Sequence, residues 1–239
     1  MRAIATLLAS MALMTTASVQ AEDGAVLHAF TATYAVSYRG LSAGNLKFRF
    51  TRDASGRYVY ETHADPSALA SLFVSRAAVE RSIMEIGPDG VRPLEWKMDD
   101  GKSGSKGDGW LQFDWDRHIV TGQVEDKPVN VPTEPGLQDR SSLQIAVSTQ
   151  LLRGTEPGTV AFIDDQAVKR YTYTRKEPAQ LESPLGKLEA VVYESTREGS
   201  NRLSRFWIVP SIDFLPARAE QQRKGKVETV MVLTEYKRE

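Results

Sequence analysis

Apolar and polar positions alternate with period two along most of the chain, and that alternation predicts strands. In the first, Phe30, Ala32, Tyr34, Val36 and Tyr38 share one face while Ala29, Thr31, Thr33, Ala35 and Ser37 share the other. A turn at Gly40 to Gly44 leads into Leu46, Phe48 and Phe50 alternating with Lys47, Arg49 and Thr51, a strand with one wet face. Asp53-Ala54-Ser55-Gly56 reads as a hairpin turn, and Tyr58, Tyr60, Thr62 and Ala64 carry the next strand. Asp65-Pro66 interrupts the alternation and predicts a short helix over Ser67 to Phe73, with Asp65 as its cap and Pro66 at its first position. Alternation returns from about Ser75 to Ile86, stops at Gly87-Pro88-Asp89-Gly90, and resumes over Val91 to Met98. Asp99 to Gly109 is rich in Gly, Asp and Lys and has no apolar residue, which predicts an exposed, mobile loop.

Trp110 to Trp115 and His118 to Val124 form a predicted hairpin, and Pro128, Pro132 and Pro135 predict an irregular stretch after it. One convincing helix follows, Arg140 to Leu152, capped by Asp139, with Leu143, Ala146, Val147 and Leu151 as its apolar stripe and Gly154 just past its end. Strands then return at about 159–164, 167–176, 187–195, 202–209, 216–223 and 226–236, broken by turn residues such as Pro157-Gly158 and Gly225. The expected fold is all-β: a single antiparallel sheet of about a dozen strands, a sandwich or a wide barrel, with one or two short helices. No linker divides the chain, so residues 22–239 read as one domain.

The first 21 residues add a compartment. Arg2 supplies a positive start, Ile4 to Met14 is an apolar run too short to span a bilayer, and Val19-Gln20-Ala21 offers small residues at a cleavage site. This is the pattern of a signal peptide over 1–21, and it implies a soluble, exported protein, periplasmic in a Gram-negative cell. No other segment has the roughly 18 consecutive apolar residues of a membrane helix, so the mature chain is not expected to span a membrane. The balance of 30 Lys and Arg against 31 Asp and Glu argues against nucleic acid as a partner. The absence of cysteine excludes a disulfide framework, a Cys-ligated metal and a Cys nucleophile.

No motif in the chain supports catalysis. His28, His63 and His118 are isolated, and the Asp114–Asp116 turn continues with His118 and Ile119 where a calcium loop needs an oxygen ligand and Gly. Gly101-Lys102-Ser103 lacks the upstream Gly of a phosphate loop. Ser103-Gly104-Ser105-Lys106 spells Ser-x-x-Lys in a polar loop with no helix after it. No cofactor and no metal site are therefore expected, and two unplaced carboxylates remain the sole route to an enzyme, a carbohydrate-active hydrolase. The aromatic pattern says more. Phe30, Tyr34, Phe48, Phe50, Tyr58 and Tyr60 crowd three successive strands and, on one inner face, would line an apolar space. They are the candidate ligand-binding residues, with a plain aromatic core as the alternative reading.

Four stretches together resemble an exported bacterial family, the domain of unknown function numbered 3108. They are Phe30 to Gly40 followed by Gly44, then Gln138-Asp139-Arg140-Ser141-Ser142-Leu143, then Ser183 to Ala190, and last Phe206-Trp207-Ile208-Val209-Pro210 with Leu215-Pro216-Ala217-Arg218. Arg140 departs from the pattern, standing where a small or helix-starting residue such as Pro is expected. The resemblance implies an exported antiparallel β protein, with Asp139 as a cap and Trp207 as a core anchor, and it implies no activity. Three functions stay open: carriage of an amphipathic ligand such as a lipid or glycolipid, an envelope protein-interaction module, and the hydrolase.

Overall fold

A computed structural model describes residues 25, 27–72, 75, 77–102 and 106–239. The leader expected over 1–21, Phe73 of the expected short helix and Ser103 to Ser105 of the loop lie outside the described residues.

Fourteen strands form one antiparallel sheet. They are β1 (Phe30–Tyr38), β2 (Leu41–Arg52), β3 (Tyr58–Pro66), β4 (Val79–Gly87), β5 (Gly90–Asp99), β6 (Gly109–Asp114), β7 (Ile119–Val124), β8 (Lys127–Pro132), β9 (Thr159–Asp164), β10 (Ala167–Ser183), β11 (Gly186–Thr196), β12 (Arg202–Val209), β13 (Leu215–Arg223) and β14 (Lys226–Arg238). The sheet order is two meanders, β1 to β8 and β9 to β14, joined where β1 pairs with β14. The one α-helix among the described residues, α1 (Ser142–Leu152), connects the two free edges, β8 and β9.

Those edges are brought together by a segment that is not itself a strand. Gln138 forms a parallel bridge with Phe162 of β9, its N–H donating to Ala161 O at 2.9 Å and its carbonyl accepting from Ile163 N at 2.9 Å. Beside it, fully buried Leu137 packs with Val120, Val124 and Val129 of β7 and β8 on one side and Ala161 and Ile163 on the other. The sheet is thereby rolled into a barrel-like shape, and the chain then turns inward as α1.

α1 occupies the interior. Its buried residues, Ser142, Ile145, Ala146, Val147, Ser148, Thr149 and Leu151, lie on every side. The single stripe expected from the sequence is thus corrected: Ile145 is the fully buried contact to the aromatic cluster, and Leu143 is half-buried. A helix inside a rolled sheet meets apolar neighbours all round, so it needs no wet face. Arg153 at its C-terminal end donates from Nη1 to Gly87 O at 2.9 Å, fixing that end beside the β4–β5 turn.

Two local readings are also corrected. The stretch with Pro128 and Pro132 forms β8, an edge strand, where a residue lacking N–H is tolerated. Asp65 and Pro66 pair with Asn45 and Gly44 as the end of β3, and among the described residues of this stretch Ala70–Leu72 alone turns helically, as a 3₁₀ turn. Ser67 supplies the cap in place of Asp65, its Oγ accepting from Ala70 N at 3.3 Å. Gly44 allows that pairing: it has φ +113°, and a Cβ there would lie 2.3 Å from Asp65 O.

Candidate functional site

Strand alternation points Phe30 and Tyr34 of β1, Phe48 and Phe50 of β2, and Tyr58 and Tyr60 of β3 toward the interior. The register places Phe30 opposite Phe50, and Phe50 opposite Tyr60. The rings meet in edge and stacked geometries, with Tyr34–Phe48 at 5.2 Å and 83°, Phe48–Tyr60 at 5.7 Å and 20°, and Phe50–Tyr58 at 5.3 Å and 7°. Such pairs add about 0.5–1.5 kcal/mol each beyond the area they bury.

The six candidates divide. Tyr34, Phe48 and Tyr60 line a cavity of about 170 Å³. Phe30 and Phe50 are fully buried in the cluster behind it, and Tyr58 stacks on Phe50 outside the cavity. The remaining walls were not legible in the strand pattern: Thr62 and Glu80 from β3 and β4, Arg140 and Ser141 just before α1 and Gln144 in its first turn, and Phe206, Pro216, Ala219 and Met231 from β12 to β14. Alternation along β12 to β14 was visible, but which end of which strand faces the aromatic strands is set by the closure of the sheet.

The cavity is therefore aromatic on one wall and polar at the helix start. Tyr34 Oη donates to Pro216 O at 2.9 Å, which satisfies its buried hydroxyl. Burial holds the Tyr34 and Tyr60 phenols well above the usual range, so both are neutral donors at any physiological pH. Trp96 Nε1 donates to Glu80 Oε1 at 2.7 Å. Arg140 lies 5.6 Å over the Trp96 ring and pairs with Asp164 at 3.3 Å and Asp165 at 3.6 Å. That pairing accounts for an arginine at the helix entry.

Behind this wall sits Asp139, with no solvent exposure. Its Oδ1 accepts from the N–H groups of Ser141 at 2.8 Å and Ser142 at 2.7 Å, and its own N–H donates to Ser142 Oγ at 2.9 Å. Asp139 thus performs the capping expected of it by closing the turn that leads into α1, while the helix begins at Ser142 rather than at Arg140 and its flanking Ser141 makes no side-chain cap bond. Ser82 Oγ donates to the other carboxylate oxygen at 2.7 Å. Burial raises its pKa to about 6; the Ser142, Ser82 and Ser141 hydrogen bonds act in the opposite sense, and nearby Glu80 adds to the rise.

Trp207, implied as a core anchor, is half-buried and packs against the main core cluster, with Arg205 at 5.9 Å and Arg218 at 5.6 Å from its ring. At the expected loop, Asp99, Asp100 and Asp108 bring carboxylate oxygens within 4.8 Å of one another. Their oxygens accept from nearby backbone N–H groups: Gly101 N to Asp99, Lys102 N to Asp100, and Asp100 N to Asp108.

One solved structure shares this architecture. A β-barrel-like protein of the domain-of-unknown-function family DUF1849 from Brucella abortus is 10% identical, with a TM-score of 0.56 over 90% of this chain and 99% of that chain. MucB is similar at 10% identity and a TM-score of 0.36, over 88% of this chain and 53% of that chain. A Bacteroides fragilis protein with a YmcC-like fold reaches a TM-score of 0.35 at 10% identity, over 90% of this chain and 99% of that chain. At such identity the Brucella likeness is one of fold. No curated protein matches the chain. The family described as "Protein of unknown function (DUF3108)" matches over residues 33–231.

Proposed function

The chain belongs to the DUF3108 family, and we propose that it is an exported, non-catalytic protein that takes the apolar part of an amphipathic ligand into the cavity between β1 to β3 and α1. The observation that carries this reading is a cavity of about 170 Å³ with Tyr34, Phe48, Tyr60, Phe206 and Met231 on its walls and Arg140, Glu80 and Gln144 at one side. An engineered apolar cavity of about 150 Å³ holds a benzene ring, so this space accepts a ring or one end of an alkyl chain, and not a whole lipid. Export rests on the leader pattern of residues 1–21.

The test is native mass spectrometry of the protein purified after export and without detergent. Added mass that leaves on denaturation, with a lipid in the organic extract, is the expected result. Ala219→Phe, which fills the cavity, should abolish it. A bare protein mass that persists after incubation with envelope lipids overturns the reading.

One observation favours a second reading, an envelope interaction module. Tyr38, Leu41, Leu69 and Leu72 are exposed large apolar residues, and the antiparallel order places all four at the β1–β2 turn and β3–β4 loop, one end of the sheet.

A further inference from the structure

A second pocket, of about 290 Å³, lies at the same end of the sheet, around the β11–β12 turn. Its walls include Asp164, Lys169, Tyr171, Arg197, Arg202 and Arg223. Lys169 is matched by Asp164 at 2.6 Å and Asp165 at 2.8 Å. The three arginines have no carboxylate within ion-pair distance among the described residues. Glu228 attracts Arg202 and Arg223 from a distance, but it is held by Arg39 at 2.7 Å. Arg202 and Arg223 are direct cross-strand partners, an arrangement of like charges that destabilises a sheet. Arg197 lies 6.0 Å from the Tyr171 ring centre, and its buried Nε has no hydrogen-bond partner. Repelling cations and an unused buried donor around one concavity are what an oxyanion would relieve, and guanidinium forks fit phosphate geometry.

We propose that this pocket binds a phosphoryl group through Arg197, Arg202 and Arg223, and that the group is the head of the ligand whose apolar end enters the aromatic cavity. The second half rests on the function proposed above; the first does not. Arg202 and Arg223 share a sheet face with Phe206 and Ala219, which line the aromatic cavity four residues along the same strands. That spacing is about 13 Å. Arg140, on the cavity wall, pairs with Asp164, on the pocket wall, so the two spaces are neighbours.

The experiment titrates the protein at constant ionic strength with inorganic phosphate, with dihexanoyl phosphatidic acid and with dihexanoylglycerol, followed by calorimetry. Wild type should bind phosphate, and should bind the phosphatidic acid at least about ten-fold more tightly. Arg202→Gln/Arg223→Gln should weaken both at least about ten-fold, since it removes charge-assisted hydrogen bonds, while its thermal midpoint stays level or rises as the repulsion disappears. Ala219→Phe should keep phosphate binding and lose the lipid's advantage. Phosphate binding with no such advantage in wild type marks a free-phosphate site: the pocket assignment stands, and its link to the cavity is overturned. Dihexanoylglycerol binding as tightly as the phosphatidic acid, with no phosphate binding, overturns the pocket and leaves the cavity reading intact. Unchanged affinity in the double arginine variant also overturns the pocket.

Discussion

Asp139 concentrates the cost of burying charge in this protein. It caps α1 from a position with no solvent exposure. Its pKa, raised from 3.8 to about 6 chiefly by burial, means that the folded state binds this proton more tightly than the unfolded state does. The stability linked to that shift is fully present below the unfolded pKa and is lost as pH rises through about 6. A shift of this size corresponds to roughly 3 kcal/mol. Asp139→Asn keeps an oxygen for the Ser141 and Ser142 N–H groups and removes the titration. The wild-type denaturant midpoint should therefore fall between pH 5 and 7.5 while that of Asp139→Asn stays nearly level. Equal slopes would show that the carboxylate does not titrate in this range. Asp139→Ala loses both cap bonds and should cost about 1–2 kcal/mol more than the Asn variant at pH 7.5.

Within elements, close backbone approach is the sharpest constraint. A Cβ on Gly122 of β7 would lie 2.1 Å from Trp110 O, and one on Gly44 of β2 would lie 2.3 Å from Asp65 O. Gly87, at the end of β4, has nothing within 4 Å of its Cβ position. Gly122→Ala and Gly44→Ala should each lower stability by about 1–3 kcal/mol by overpacking, while Gly87→Ala should be close to neutral. Chemical denaturation of the three variants checks this ranking. The helix is constrained by burial instead. Ile145, fully buried against the aromatic cluster, should cost about 2–5 kcal/mol as Ile145→Ala, with the spread set by how far the barrel relaxes around the space.

For the whole molecule, closure is the weak joint. β8 and β9 are joined through the Gln138 segment by two backbone hydrogen bonds and the side chain of Leu137 rather than by a full ladder. Gln138 Nε2 also donates to Val91 O at 2.9 Å and Gly136 O at 3.0 Å, which fastens the segment to β5. Amide hydrogen exchange should show the Ile163 and Gln138 amides opening before those of β1 and β14, which form the continuous centre of the sheet. Equal protection at both places would mean that the barrel opens only globally.

The sequence alone determined that the chain is antiparallel β, where most of its strands lie, and that Asp139 leads into a helix, although β2 begins earlier and β10 ends later than their alternation suggests. Those properties are local: period-two alternation, turn residues and a capping side chain act within a few residues of themselves. The exceptions were also local in cause. Pro128 and Pro132 argued against a strand because their lack of N–H matters only if both sides are paired, and β8 proved to be an edge. The tertiary structure alone decided that α1 lies inside the sheet, where the surrounding strands also bury Ser148 and Thr149, which stand outside the apolar stripe of Leu143, Ala146, Val147 and Leu151. It also decided which aromatics face a space: Tyr34, Phe48 and Tyr60 do, and Phe30 and Phe50 do not, although all five share one alternation. The opposite walls, Phe206, Ala219 and Met231, lie more than a hundred residues away in sequence. Curvature and closure of the sheet bring them into the same cavity, and neither is encoded by any single strand.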